Sequence, residues 1–213
     1  MTALGSIQEG LEGLASAGIV LPEGAAQQLA TYLELLEKWN QVYNLTAIRD
    51  VNRMVTHHVL DSLAVLPHIE RAPVERLLDV GSGAGIPGIP LAIARPAWRV
   101  TLLDSNHKKA AFMQQALAAV AASNAEVCAT RLERFAPETR FDVIISRAFS
   151  DLGSFAESAR RLLAPAGRIV AMKGVFPHEE LEQVPAGLRV VATEAVKVPG
   201  MDAQRHLVIL EAA

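Results

Sequence analysis

The 213-residue chain predicts an α/β fold: a mostly parallel seven-stranded sheet, closed by a C-terminal antiparallel hairpin and preceded by an N-terminal helical cap. Three observations predict it. From Arg76 onward, short β-rich runs alternate with alanine- or leucine-rich segments of helical pattern, as in a parallel sheet covered on both faces. The last two runs are joined by VPGMDAQR, too short for a helical crossover, so at least one of them should run antiparallel. Before Arg76 the texture is helical only.

Taken in order, residues 1–70 form the expected cap and 71–213 a single compact unit. From Pro22, the residues Leu29, Tyr32, Leu33, Leu36, Trp39 and Tyr43 recur at helical spacing, one apolar face. Pro22 suits a first turn, where its missing N–H costs nothing. Asn44-Leu45-Thr46 breaks the pattern. A second helix should begin at Asp50, a good N-cap, with Val51, Met54, Val55, Val59, Leu63 and Leu66 buried, and end before Pro67 and Pro73. Strands are expected at 76–81, 99–104, 126–130, 141–148, 167–174, 189–198 and 206–212. Crossover helices are expected at 88–95, 106–122 and 151–164.

Half the residues are hydrophobic and a fifth charged, a composition that builds a core rather than a disordered chain. Pro, Arg, Asp or Glu interrupts every apolar run before membrane-spanning length, and MTALGSIQEG lacks the basic and apolar regions of a signal peptide. A cytoplasmic monomer with no membrane partner is the expectation. Cys128 is the only cysteine, so neither an intramolecular disulfide nor a cysteine-based zinc cluster is available. A net charge of −3 does not announce a nucleic-acid partner, although a local patch can serve a large RNA.

The chemistry is concentrated in LLDVGSGAGIPGIPLAIA, Leu77 to Ala94. Read from Gly83 it fits the dinucleotide pattern GxGxxG. Read from Asp79 it is an acidic strand end followed by Gly81, Gly83 and Gly85 in alternation. Both readings place a ligand at the carboxyl ends of the strands, where glycine lets the backbone come close. Asp79 separates them: a carboxylate is unhelpful beside a pyrophosphate but suits a cationic amino-acid ligand such as S-adenosylmethionine (SAM). Asp104, ending TLLD, can accept hydrogen bonds from ribose hydroxyls, a feature shared by NAD and SAM sites. With the terminal hairpin, the pattern favours SAM.

The methyl acceptor is approached by elimination. The fourth strand ends in Ile145-Ser146-Arg147-Ala148-Phe149, without the Asn/Asp-Pro-Pro-aromatic tetrapeptide of exocyclic amine methylation. Attack at pyrimidine C5 needs a cysteine nucleophile, and Cys128 sits mid-strand like a small buried hydrophobe. No carboxylates cluster for metal-assisted transfer. An acceptor with its own lone pair, such as guanine N7, needs positioning but no obligatory base.

The segments WNQVYNLTAIRD, HHVLDSLAVLP, LLDVGSGAGIPGIPLAI, TLLDSNHKK, ISRAF, MKG and RHLVIL stand in the order found in the bacterial small-subunit ribosomal RNA guanine-N7 methyltransferase G family (RsmG, also known as GidB). The chain resembles that family nearly end to end. The resemblance implies a Rossmann-like class I SAM-dependent methyltransferase fold, methylation of a guanine N7 in 16S rRNA near the decoding centre, and SAM without a metal. It implies as partner the 16S rRNA, the small ribosomal subunit or its assembly intermediate. It places donor contacts on Gly81 and Ile86, on Leu132 and Glu133 after the third strand, and on Arg147, a positioning group; Asp79, Gly83, Gly85 and Asp104 complete the donor set.

Other polar residues carry two readings each. His57 and Asp61, four apart on a helix, share a face and could pair, either in catalysis or merely to tie the cap to the sheet. His57 and His58 make no metal site, since adjacent helical residues diverge and no third ligand is evident. Asn44, Thr46 and Arg49 lie on the break between helices, and Lys173 and Arg205 flank late strands where they could meet RNA phosphate or simply carry surface charge. Asn106 to Lys109 reads as a solvated helix start. Still open are a small-molecule SAM methyltransferase, for which the aromatic content is low, a nicotinamide-dependent oxidoreductase, supported only by the shifted GxGxxG, and a noncatalytic binding module on the same scaffold.

Overall fold

The computed structural model describes residues 3–147, 149 and 151–213. The cap consists of α1 (Ala3–Ala15), α2 (Ala25–Tyr43) and a broken segment of α3 (Val51–Met54), a π turn (Val55–Leu60), α4 (Asp61–Leu63) and α5 (Leu66–Ile69). There follow β1 (Arg76–Val80), α6 (Gly88–Ala94), β2 (Arg99–Leu103), α7 (His107–Ala119), β3 (Ala125–Cys128) and β4 (Phe141–Ser146). The chain closes with α8 (Leu152–Ala159), β5 (Leu163–Lys173), α9 (His178–Leu181), β6 (Leu188–Ala195) and β7 (His206–Ala212).

The seven strands lie in the order β3-β2-β1-β4-β5-β7-β6. The first five are mutually parallel, and β7 runs antiparallel between β5 and β6, as the short last connection requires. Strand order reverses between β1 and β4, so the carboxyl ends of those strands open a crevice there. Successive residues of β1 serve opposite faces, as the pleat dictates. Leu77 joins the core shared with α2 and α6, and Leu78 joins the core under α8.

All seven expected strands form, with β5 starting earlier than expected, at Leu163. The N-caps are legible too. Asp50 accepts from the Arg53 N–H at 2.8 Å, and Asn106 from Lys108 at 2.9 Å. Three features depart from expectation. Helix α1, given no bounds by periodicity, packs Gly10 so tightly on Leu60 that a Cβ there would lie 2.5 Å from its Cδ1. The helix expected from Asp50 is interrupted by the π turn, in which the Asp61 N–H reaches back to the Thr56 carbonyl. Finally, Tyr43, expected on a buried face, is exposed, because α2 runs past the edge of the core.

Candidate active site

The site grows from the loop after β1. Gly81, Gly83 and Gly85 have φ of 70°, 60° and 81°, a left-handed backbone that disfavours any side chain. Gly88 is glycine for space: a Cβ there would stand 2.1 Å from Leu102 Cδ2. The loop is fastened from three directions. The Gly81 N–H donates to the Leu103 carbonyl at 2.8 Å. The Gly83 N–H donates to Asp104 Oδ2 at 2.9 Å, and the buried Tyr32 hydroxyl of α2 donates to the Ala84 carbonyl at 2.8 Å.

Two clefts share Gly81 as a wall. One, about 270 Å³, is lined by Val80, Asp104, Leu132, Glu133 and Phe149. The other, about 150 Å³, is lined by Leu45, Thr46, His58, Ile86 and Arg147. Most of the expected donor residues thus meet, although they come from the connections after β1, β2 and β4 and from the short 3-10 turn Leu132–Arg134. Asp104 faces the larger cleft while holding the loop. Its Oδ1 accepts from the Asn106 N–H at 2.8 Å, and each oxygen keeps lone-pair capacity.

Asp79 is placed differently from a group that meets a ligand directly. It is wholly buried and lines neither cleft. Its Oδ2 accepts the Gly88 N–H at 2.9 Å, which turns the side chain beneath the loop. Its Oδ1 is buried with no hydrogen-bond partner among the described residues. Burial pushes its carboxyl up to about 7, partly offset by the Gly88 N–H.

On the cap side, the expected His57–Asp61 pair does not form. Asp61, 1% exposed, instead accepts from Arg147 Nη1 at 3.0 Å and from Arg205 Nε at 2.8 Å. His57 turns its Nδ1 to the Arg53 carbonyl, 3.1 Å away, and gives its own carbonyl to Arg147 at 2.6 Å. The π turn lies under this change: its wider winding breaks the i, i+4 stacking on which that pairing depends.

Two residues that the sequence assigned no site role, His58 and Asn40, line or shape the site. His58 lines the smaller cleft with Nε2 2.9 Å from Thr46 Oγ1, and burial, reinforced by Arg147, lowers its pKa to about 4, so the ring is neutral. Buried Asn40 shapes the loop after α2, accepting from the Thr46 N–H at 2.9 Å and donating to the Ile48 carbonyl at 3.1 Å. The pair HHVLD contained the signal for His58, but choosing between two adjacent histidines requires the helix phase, which the π turn alters.

Of the other expected contacts, Asn44 and Arg49 are exposed and bonded to each other at 2.8 Å. Lys173 is engaged internally, with Glu180 at 2.6 Å and the Phe149 carbonyl at 3.0 Å. Arg205 is held by Asp61. Both cations are therefore tied to carboxylates rather than standing as bare surface charges. Among the described residues, no group of three or more His, Cys, Asp or Glu is arranged to hold a metal ion, and no helix is long and apolar enough to cross a membrane.

The sheet order and the glycine loop at its switch point define the class I SAM-dependent methyltransferase fold. Solved structures of that fold superimpose on the chain. The glycopeptide N-methyltransferase MtfA, complexed with sinefungin, aligns with a TM-score of 0.61 at 14% identity, covering 73% of this chain and 87% of that one. TrmN from Thermus thermophilus aligns at 0.55 and 20% identity, covering 75% and 53%. These likenesses concern the fold alone.

Sequence relatives narrow the class. The chain belongs to the rRNA small subunit methyltransferase G family, whose profile matches residues 25–208. It is 52% identical over 198 residues to the ribosomal RNA small subunit methyltransferase G of Laribacter hongkongensis, covering 93% of this chain and 94% of that one. Identity to the Neisseria meningitidis protein of the same name is 48%, covering 93% and 94%.

Proposed function

We propose that the chain transfers a methyl group from SAM to N7 of a guanine in 16S rRNA near the decoding centre, acting on the small ribosomal subunit or an assembly intermediate. The observation that carries the reading is the smaller cleft. It brings a guanidinium, Arg147, and a neutral imidazole, His58, to the wall shared with the larger cleft, and none of its described lining residues is a carboxylate. The nearby Asp61 is committed to two arginines. That is a site for an acceptor whose lone pair is already free.

The donor fits the residues present. Gly83 leaves open the space that a Cβ would take, with nothing nearer than 3.8 Å. Asp104 has acceptor capacity for ribose hydroxyls, and Leu132 and Glu133 frame the same cleft for an adenine edge. Bound SAM supplies an electrophilic methyl on its sulfonium. Arg147 is held by the His57 carbonyl and Asp61, so its planar cation keeps one orientation at the cleft wall, where it orients the purine. Catalysis is then alignment of donor and acceptor.

The test is to incubate the protein with methyl-labelled SAM and with 16S rRNA or small subunits from cells lacking this modification, and to map the labelled base. Label at a single guanine N7 is the expected result. Label on an exocyclic amine or ribose, or on small molecules only, would overturn the assignment.

A further inference from the structure

The apolar stripe of α2 overruns the core and surfaces beside the donor cleft. Leu29, Tyr32, Leu33 and Leu36 are fully buried, yet Tyr43 is 47% exposed. The Tyr43 ring is nonetheless braced. Its centroid lies 5.0 Å from that of Trp39, whose Nε1 donates to Gln115 Oε1 at 3.0 Å and whose ring meets Phe112 edge-on at 5.6 Å.

Cations border this ring. Lys108 Nζ lies 5.9 Å from its centroid. The next residue, Lys109, lies 3.9 Å from Asp104 and borders the space beside Gly83. Asn44, directly after Tyr43, holds the exposed Arg49. A braced, half-exposed aromatic with Lys108 at its ring, and with the exposed Arg49 held by the next residue, matches the chemistry of a single-stranded nucleic-acid contact. Each base offers a π-face, and each phosphate a negative charge.

We propose that Tyr43 is a stacking platform for an unpaired nucleobase of the RNA substrate outside the methyl-transfer cleft, with Lys108 and Arg49 meeting the adjoining phosphates. The inference rests on the rRNA reading above and adds to it a contact that positions the loop bearing the target. The exposed apolar ring favours a base over a bare phosphate, and the cations favour RNA over an apolar protein partner.

The experiment compares wild type, Tyr43→Leu, Tyr43→Phe and Lys108→Gln. It measures affinity for unmodified 16S rRNA across a salt series, affinity for S-adenosylhomocysteine by calorimetry, and thermal unfolding. Tyr43→Leu should weaken RNA binding at least roughly fivefold, the lower end of base–aromatic stacking, while S-adenosylhomocysteine affinity stays within about twofold. Tyr43→Phe should restore RNA binding, since the ring is what matters. Lys108→Gln should reduce the slope of log affinity against log salt by about one. Unchanged RNA affinity in Tyr43→Leu, a parallel loss of S-adenosylhomocysteine affinity, or no rescue by Phe each overturns the platform alone. If wild type neither binds nor methylates the RNA, the rRNA reading falls and the platform with it.

Discussion

At the scale of single residues, Asp79 lies beneath the glycine loop, and Arg147 lines the cleft beside it. Asp79 is a buried carboxyl whose proton the fold retains up to about pH 7, against 3.8 for an ordinary aspartate, because burial penalises its charge. The sign follows from linkage. Below about pH 4 both folded and unfolded chains carry this proton, and this group leaves stability untouched. Between roughly pH 4 and 7 the unfolded chain has released it while the folded chain has not, so stability contributed by the neutral form is lost as pH rises. Asp79→Asn keeps an oxygen for the Gly88 N–H and cannot ionise. The difference in melting temperature, variant minus wild type, should therefore grow from pH 4 to pH 7; a difference that stays constant across that range would contradict the buried-proton account. In the proposed transfer, Arg147 is an orienting group. Arg147→Lys should leave the protein folded but lose most methylation, because a point charge cannot reproduce a planar fork. In wild type the single-turnover rate should be nearly flat between about pH 7.5 and 9, above the range in which Asp79 gives up its proton, since the proposed transfer needs no base to ionise and His58 is already neutral. A tenfold rise per pH unit would mean that the acceptor loses a proton.

At the scale of elements, the glycine loop is shaped as much by α2 as by its own strand. The Tyr32 hydroxyl reaches from the helix to the Ala84 carbonyl with the ring fully buried. Tyr32→Phe removes the donor and leaves that carbonyl without it, which should cost about 1–2 kcal/mol in denaturant unfolding. It should also weaken S-adenosylhomocysteine binding severalfold, measured by calorimetry; a stability loss with unaltered affinity would show that α2 does not hold the loop. Elements of this kind are legible where their signals are local. Strand runs, the Asp50 and Asn106 caps, the glycine turn and Asp104 each announce themselves within a few residues. The π turn does not: nothing in VTHHVL marks the place where the helical ladder widens, at a segment on which α1 packs through Gly10 and Leu60. That one irregularity explains why helical spacing pairs Asp61 with the wrong neighbour and passes over His58. Asp61 finds arginines from just after β4 and from the approach to β7, contacts 86 and 144 residues away that no periodicity encodes. Asn40 is hidden for the opposite reason, being a polar residue on an otherwise ordinary helix whose partners lie in the loop it shapes.

At the scale of the whole molecule, the boundary drawn near residue 70 separates textures, not cores. One buried cluster joins Ile7, Leu29, Leu36 and Val59 of the cap to Leu77, Ile89, Ile93 and Val143 of the sheet unit. Polar ties cross the same boundary: His68 meets Glu194 at 2.5 Å, Arg95 pairs with Glu70, and Asp61 binds both arginines of the site. A chain cut to residues 71–213 would expose the face of α6 and α7 that α2 covers, including Phe112 and Ile89, leaving a contiguous apolar patch open to association. The cap should therefore unfold with the sheet rather than ahead of it. Two tryptophans report the halves separately: Trp39 lies on α2, and Trp98 precedes β2. In the single-tryptophan variants Trp98→Phe and Trp39→Phe, fluorescence and far-ultraviolet circular dichroism should give one denaturant midpoint within each protein, the mark of a cooperative unit. If the Trp39 signal melted at a lower denaturant concentration than the circular dichroism of the same protein, the cap would be a separate folding unit. The coupling of α2 to the glycine loop would then have to work across a joint that opens by itself.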